Sequence, residues 1–94
     1  AAGLVFIAAN VRYKIGELDL VMADGETLVF VEVRERASLR FGGAAASIDG
    51  RKRQRLQRAA QRYLQQRSGA RPPPCRFDVV AFEAGEPHWI KAAF

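Results

Sequence analysis

Two strand-forming segments on either side of Asp24-Gly25 constrain the fold more than any other feature of the sequence. Residues 17–23 and 27–36 are rich in β-branched and large apolar side chains, which favour strands. Asp and Gly both tolerate the positive φ angles of a two-residue hairpin turn. The sequence therefore predicts an antiparallel hairpin, and such a hairpin is stable only when further strands or a helix cover one of its faces.

The other predicted elements supply that cover. Residues 51–66 carry apolar side chains at the spacing of an amphipathic helix. These side chains are Leu56, Ala59, Ala60, Tyr63 and Leu64. Further strands are predicted at residues 4–9, 76–82 and 88–91, and a loop at residues 37–47. Because 94 residues are enough for one domain and too few for two, we expect a single α/β domain over residues 1–94, in which a helix crosses one face of a mixed sheet.

The basic residues are distributed unevenly along the chain. The formal net charge is +5 and the isoelectric point is near 10.1, yet residues 50–77 contain no Asp or Glu. One-sided positive charge favours a polyanionic partner, so we predict that the helix binds nucleic acid, DNA in the first instance. The alternative is a solvated helix surface that is basic without binding anything. The residues predicted to contact nucleic acid are Arg51, Lys52, Arg55, Arg58 and Arg62.

The composition also limits the cellular setting. The apolar run at residues 1–10 is about half of the ~20 residues that a helix needs to span a bilayer, so we expect no membrane association. The single cysteine, Cys75, cannot form an internal disulfide, which fits a reducing compartment, and we expect a cytoplasmic protein. The chain does not begin with Met, and we expect further residues upstream of Ala1.

The predicted hairpin gathers acidic side chains on one face of the sheet. If the turn pairs Ala23 with Glu26, Glu17 lies opposite Glu32, and Asp19 becomes the diagonal neighbour of Glu32. Like charges in these positions destabilise a sheet, and a hard divalent cation such as Mg²⁺ or Mn²⁺ would relieve the repulsion. The sequence therefore predicts a metal site at Asp19 and Glu32, with Glu17 as a further candidate ligand. The alternative is that all three face solvent on a one-sided sheet.

Several ordered sequence blocks carry a family resemblance that covers nearly the whole chain. The blocks are GELDL at 16–20, DG at 24–25, VFVEVR at 29–34, FGGA at 41–44, RKR at 51–53 and RFDVVA at 76–81. Together they resemble the YraN family of small bacterial proteins, within the PD-(D/E)xK nuclease superfamily of restriction-endonuclease-like and Holliday-junction-resolvase-like proteins. The resemblance implies a restriction-endonuclease-like mixed sheet and metal-dependent hydrolysis of phosphodiester bonds.

The resemblance also assigns roles to individual residues. By position, Asp19 resembles the first metal-binding acid of the superfamily, Glu32 the second, and Arg34 the catalytic lysine. Arg34 is a departure, because Arg stays charged and is suited to stabilising a phosphate rather than to moving a proton. Resolvase-like members carry a further acid on a helix before the first strand, and this sequence shows no such helix.

Three functions remain open at the level of the sequence. The leading one is a metal-dependent endonuclease acting on DNA, with branched or junction DNA among the candidate substrates. The second is a non-catalytic nucleic-acid-binding module that retains the nuclease fold, which the Arg34 departure favours. The third is an interaction protein whose basic helix binds an acidic protein. The sequence leaves the substrate class and the formation of a homodimer undecided.

One further acid is ambiguous. Asp78 lies between apolar neighbours on a predicted strand. It is either an edge residue or the partner of an arginine, and the pattern does not separate these alternatives.

Overall fold

A five-stranded mixed sheet and one helix make up the part of the chain that the structure, a computed structural model, describes: residues 3–35, 48–83 and 85–94. The elements are β1 (Val5–Tyr13), β2 (Gly16–Asp24), β3 (Thr27–Glu35), α1 (Gly50–Ser68), β4 (Cys75–Glu83) and β5 (Glu86–Ile90). The strands lie side by side in chain order, and neighbours are antiparallel except for β3 and β4. The predicted α/β domain with a mixed sheet is confirmed. The loop predicted at residues 37–47 and the last residue of the predicted strand 27–36 lie outside the described residues.

The helix begins and ends where its capping residues dictate. The side chain of Asp49 accepts a hydrogen bond from the backbone N–H of Lys52 at 2.8 Å, which satisfies one of the free donors of the first turn. Gly69 adopts a positive φ of 63° and donates its backbone N–H to the carbonyl of Gln65. Between these caps α1 joins β3 to β4, and this crossover allows the two strands to pair in parallel.

The predicted apolar stripe of the helix packs on one face of the sheet. Ala59 and Ala60 are buried against Phe30, with Tyr63 and Leu64 half-buried beside them, as the sequence pattern predicted. The buried core on this face consists of Leu18, Val21, Leu28, Phe30, Ile48, Leu56, Ala59, Ala60, Val79 and Ala81. The opposite face has its own smaller cluster, formed by Val29, Val31 and Val80.

The hairpin register differs from the prediction by two residues. Asp24 pairs with Thr27 and Leu20 with Val31, so the turn residues are Gly25 and Glu26. Of the two turn residues, only Gly25 has a positive φ, of 60°. A two-residue turn with a positive φ at its first position favours glycine at that position. The predicted pairing of Ala23 with Glu26 is therefore wrong.

The strand alternation is also interrupted in the middle of β2. Leu18 and Val21 are three residues apart, yet both are buried in the cluster beneath the helix, whereas Leu20 packs on the opposite face. The strict alternation of a strand would place Leu18 on the same face as Leu20, and β2 departs from it here. Asp19 occupies the break, and its Oδ2 accepts the backbone N–H of Val33 at 2.9 Å. A side-chain acceptor thus continues the contact between β2 and β3 beyond the last backbone pair.

Gly16 is the point of closest approach between the sheet and the helix. A Cβ atom at this position would lie 2.8 Å from the carbonyl oxygen of Arg55, well inside normal contact distance. Only glycine therefore allows the start of β2 to lie directly against α1. This contact brings the basic helix alongside the acidic residues of β2 and β3.

Candidate functional site

Asp19 and Glu32 come together beneath the first turns of the helix. They lie just beyond Leu20–Val31, which is the last backbone pair between β2 and β3. The Glu32 side chain is only 6% exposed. Burial raises the pKa of Glu32 to about 8, and hydrogen bonding and charge repulsion from Asp19 act in the same direction. The predicted proximity of these two carboxyl groups is therefore present.

Lys52 is the cation that the structure places against this pair. Its Nζ lies 3.5 Å from Oε2 of Glu32, and it lowers the pKa of Glu32 against the effects of burial and Asp19. Even so, Oε2 accepts no hydrogen bond from the described residues. A buried carboxylate oxygen without a hydrogen bond is costly, and it marks a position where a ligand would be stabilised.

The sequence assigned Lys52 to the DNA-binding surface and missed its contact with Glu32. A signal was available, because Lys52 lies four residues before the buried Leu56 and therefore on the same side of the helix. The other four predicted contact residues are exposed on α1: Arg51, Arg55, Arg58 and Arg62. Lys52 instead points partly inward, with 41% of its side chain exposed.

A cleft of about 190 Å³ opens onto the carboxylate pair, and we refer to it as the acidic cleft. Its lining residues are Gly16, Glu17, Asp19, Glu32, Lys52, Arg55 and Leu56. The strands contribute the carboxylates and the helix contributes the cations. A metal ion and a phosphate group need this separation of negative and positive charge within a small volume.

Glu17 lines the acidic cleft but belongs to a different contact. Its Oε1 accepts a hydrogen bond from Nε of Arg12 at 3.5 Å, and both side chains are largely exposed. Within residues 3–35, 48–83 and 85–94, no three His, Cys, Asp or Glu side chains are grouped closely enough to hold a metal ion. The predicted patch of three carboxylates is therefore reduced to the pair of Asp19 and Glu32.

The donor set that remains is compatible with a hard cation that keeps much of its water. Mg²⁺ is commonly held by one or two carboxylates, with waters and substrate phosphates completing its coordination. Asp19 and Glu32 are the residues that would hold it. The buried Oε2 of Glu32 has the Lys52 ammonium 3.5 Å away but accepts no hydrogen bond from the described residues, and this supports that assignment.

Arg34 lies two residues beyond Glu32 on β3, where it pairs with Ala81 of β4. Ala81 is buried on the helix side of the sheet, so strand alternation places Arg34 on the same side as Glu32. The side chain is half-buried. Its assignment to the position of the superfamily lysine stays a prediction.

The ambiguity of Asp78 is settled in favour of an arginine partner. Asp78 is fully buried and accepts hydrogen bonds from Nε of Arg76 at 3.0 Å, from Nε1 of Trp89 at 2.8 Å and from the backbone N–H of Ala92 at 2.9 Å. Arg76 also donates to Asp24 at 2.8 Å. This network joins β4 to the end of the chain and to the β2–β3 turn, away from the acidic cleft.

The helix of the described residues does not have the length and apolar character needed to cross a membrane.

Comparison with known proteins gives a consistent family assignment. Residues 1–82 match the model described as uncharacterised protein family UPF0102. The chain is 57% identical to a UPF0102 protein of Bordetella petrii, a match covering 99% of this chain and 60% of that protein. It is 56% identical to UPF0102 proteins of Yersinia enterocolitica and Xanthomonas campestris, covering 80% and 78% of those proteins. The chain thus spans about three fifths of the Bordetella petrii relative and most of the other two.

Proposed function

The chain belongs to the UPF0102 family, and we propose that its domain is a metal-dependent endonuclease that hydrolyses phosphodiester bonds of DNA at Asp19 and Glu32. One observation carries the proposal. Glu32 is a buried carboxyl group whose Oε2 has the Lys52 ammonium 3.5 Å away and accepts no hydrogen bond from the described residues, and it opens into a cleft beside Asp19 and beneath a basic helix. A divalent cation and a phosphate would satisfy the negative and positive sides of that cleft together.

The two carboxylates of the proposed metal site are held in place by different contacts. Asp19 is held in place because its Oδ2 accepts the backbone N–H of Val33. Glu32 is held by burial and by its position in the central strand. Residues fixed in this way are pre-organised, so metal binding costs little further ordering. When bound, Mg²⁺ or Mn²⁺ supplies a Lewis acid and a water of lowered pKa.

The cations of the cleft act on the phosphate. Lys52, whose ammonium lies 3.5 Å from Glu32, and Arg55 both line the helix side of the cleft. Both are positioned to offset the charge that develops on a phosphodiester during hydrolysis. Arg34, on the same face of β3 as Glu32, adds a further cation on this side of the sheet.

The topology supports the same assignment. Three antiparallel strands are followed by a helix that returns the chain to a parallel fourth strand. The carboxylates lie on the second and third strands, as in the restriction-endonuclease-like core implied by the sequence resemblance. We propose that this core is the fold of the domain.

Metal binding is the first test. Isothermal titration calorimetry of the full-length protein with Mn²⁺ should give a binding signal that Asp19→Asn and Glu32→Gln each weaken by tenfold or more, on the order of one lost ligand. Glu35→Gln is the matched control, because it makes the same substitution at the exposed end of β3. Equal binding by all four proteins, or none by the parent, would contradict the proposal.

Cleavage is the second test. A panel of linear, branched and junction DNAs should be cut in the presence of Mg²⁺ or Mn²⁺ and left intact in EDTA. Asp19→Asn and Glu32→Gln should abolish cutting. DNA binding with no cleavage of any substrate would overturn the nuclease assignment in favour of a binding module.

The non-catalytic binding module is a second candidate because Arg34 replaces the superfamily lysine. Arg34→Lys separates the two functions. In an endonuclease weakened at this position, the lysine variant cuts faster than the parent. In a binding module neither version cuts, and both bind DNA alike.

A further inference from the structure

The turn between β1 and β2 forms a second groove against the helix, which we call the hairpin-tip groove. Tyr13, Lys14 and Ile15 line the strand side and Arg62 lines the helix side, around an open volume of about 480 Å³. The acidic cleft is lined by a separate set of residues.

The hairpin-tip groove combines positive charge with apolar surface. Lys14 and Arg62 are exposed cations. Ile15 is a large apolar side chain that is 44% exposed, and it gives the groove an apolar wall beside the two cations. The half-buried Tyr13 is held in place by its hydroxyl, which donates to Oε1 of Gln66 at 2.8 Å. A nucleotide presents the matching features, a phosphate for the cations and a base and sugar for the apolar wall.

The groove and the acidic cleft are neighbours on the same side of the helix. Ile15 lines the groove, Glu17 lines the cleft, and Gly16 between them rests against the Arg55 carbonyl. On α1, Arg55 lines the cleft and Arg62 lines the groove. Seven helical residues rise about 10 Å, which is about three nucleotide steps of a stacked strand.

We propose that the hairpin-tip groove binds a nucleotide of the same DNA strand whose phosphodiester enters the acidic cleft. The identity of the ligand rests on the proposed function, but the contacts in the groove require no metal. Lys14 and Arg62 hold the backbone phosphate, and Tyr13 and Ile15 contact the base or sugar. The groove therefore sets which part of a strand lies in the cleft.

The test is binding of a fluorescent single-stranded oligonucleotide in EDTA, measured by anisotropy over a range of salt concentrations. Each phosphate contact that is lost should flatten the slope of log affinity against log salt by about 0.7 for a single strand. Lys14→Ala with Arg62→Ala should therefore lower the slope by about 1.4. Arg71→Ala is the charge control, because it removes an exposed cation from the connector after the helix. A double variant that matches Arg71→Ala in slope and affinity would overturn the proposal.

The apolar wall is tested separately with Ile15→Ala. This variant should weaken binding of the oligonucleotide several-fold and leave binding of inorganic polyphosphate, used as a competitor, unchanged. Equal losses for both polyanions, or no loss for either, would contradict a base or sugar contact. Displacement of the oligonucleotide by a poly-glutamate peptide at the same charge concentration would favour an acidic protein partner and would overturn the nucleotide assignment.

The two proposals fail independently. Metal-free oligonucleotide binding that depends on Lys14, Arg62 and Ile15 supports the groove even if Mn²⁺ binding is absent. Conversely, Mn²⁺ binding at Asp19 and Glu32 with no effect of the groove variants supports the metal site and rejects the groove.

Discussion

Nζ of Lys52 lies 3.5 Å from Oε2 of Glu32, so the first turn of the helix holds a cation against a carboxylate that the sheet has buried. The ammonium lowers the pKa of Glu32, but burial and Asp19 raise it by more, to about 8. The Lys52 side chain is 41% exposed, so solvent weakens its attraction for the buried carboxylate of Glu32. Ionisation of Glu32 is therefore a net cost to the folded protein.

This cost predicts how the stability of the metal-free protein depends on pH. The pKa of Glu32 is higher in the folded protein than its ordinary value of 4.5, so the folded state holds the proton more tightly. The contribution of Glu32 to the free energy of unfolding should be constant below pH 4.5, fall as the pH rises to about 8, and level off above it. The fall should not exceed about 1.4 kcal/mol per pH unit for this group.

Urea denaturation in EDTA at a series of pH values measures this dependence. Glu32→Gln should flatten the pH profile between pH 5 and 8, because the amide has no proton to lose. Glu35→Gln, at the exposed end of the same strand, should retain the parent profile. Identical profiles for all three proteins would show that Glu32 does not titrate in this range.

The basic helix predicts sequence-independent DNA binding. Arg55 and Arg58 are exposed on α1 and suited to phosphate contacts, which position a protein without reading bases. Arg55→Ala with Arg58→Ala should weaken binding to unrelated duplexes alike, and flatten the salt slope by about 0.9 for each lost contact. Fluorescence anisotropy with several duplexes measures both quantities. A loss confined to one duplex would instead indicate base readout, and unchanged binding would leave the helix as a solvated surface.

The contact of Gly16 with the helix predicts a stability defect. Gly16→Ala should cost about 1–3 kcal/mol, because the new methyl group would lie 2.8 Å from a backbone oxygen of Arg55 that cannot easily move. Gly50→Ala is the matched control, since its Cβ would meet nothing within 4 Å at the start of the helix. Thermal unfolding followed by circular dichroism compares the two. Equal unfolding temperatures would mean that β2 and α1 can move apart far enough to accept the methyl group without loss of stability.

The buried Asp78 predicts a larger defect and a spectroscopic signal. Asp78→Asn places an amide N–H₂ group against N–H donors that need an acceptor, and it removes the negative charge that faces Arg76. The substitution should therefore lower the free energy of unfolding by about 3 kcal/mol. Trp89 is the one tryptophan of the chain and donates to Asp78, so its fluorescence should change as well. Asp24→Asn, which loses the more exposed bond of the same arginine, should have a much smaller effect. An Asp78→Asn protein with parent stability would show that the network carries no net energy.

The elements of the fold could be predicted from the sequence because the hydrophobic periodicity agrees with the turn and capping residues along most of the chain. The helix was predicted at residues 51–66 and spans Gly50–Ser68, with the predicted apolar stripe against the sheet. The first strand was predicted to end at residue 9 but continues to Tyr13. Asn10, with φ of 52°, interrupts the alternation there, and an edge strand tolerates polar residues that hide it from a hydrophobicity pattern.

The candidate site was predicted less well, for two physical reasons. Residue type at Asp24-Gly25 did not show which positions form the turn, and moving the turn by one residue moves the pairing of Asp19 by two. The contact of Lys52 with Glu32 joins residues on different elements, and no local pattern encodes the angle at which the helix crosses the sheet. The proximity of Asp19 and Glu32 survived the error because a shift of two residues keeps the same face.

Because α1 connects β3 to the parallel strand β4, we expect the parts of the candidate site to come together at different stages of folding. Leu28 can meet Cys75 only after the helix has crossed the sheet, and closing so long a segment is slow compared with forming a local hairpin. The carboxylates of Asp19 and Glu32 belong to the hairpin, and Lys52 arrives with the crossover. We therefore expect a folding chain to bring its acids together in the hairpin before the helix supplies their counter-charge.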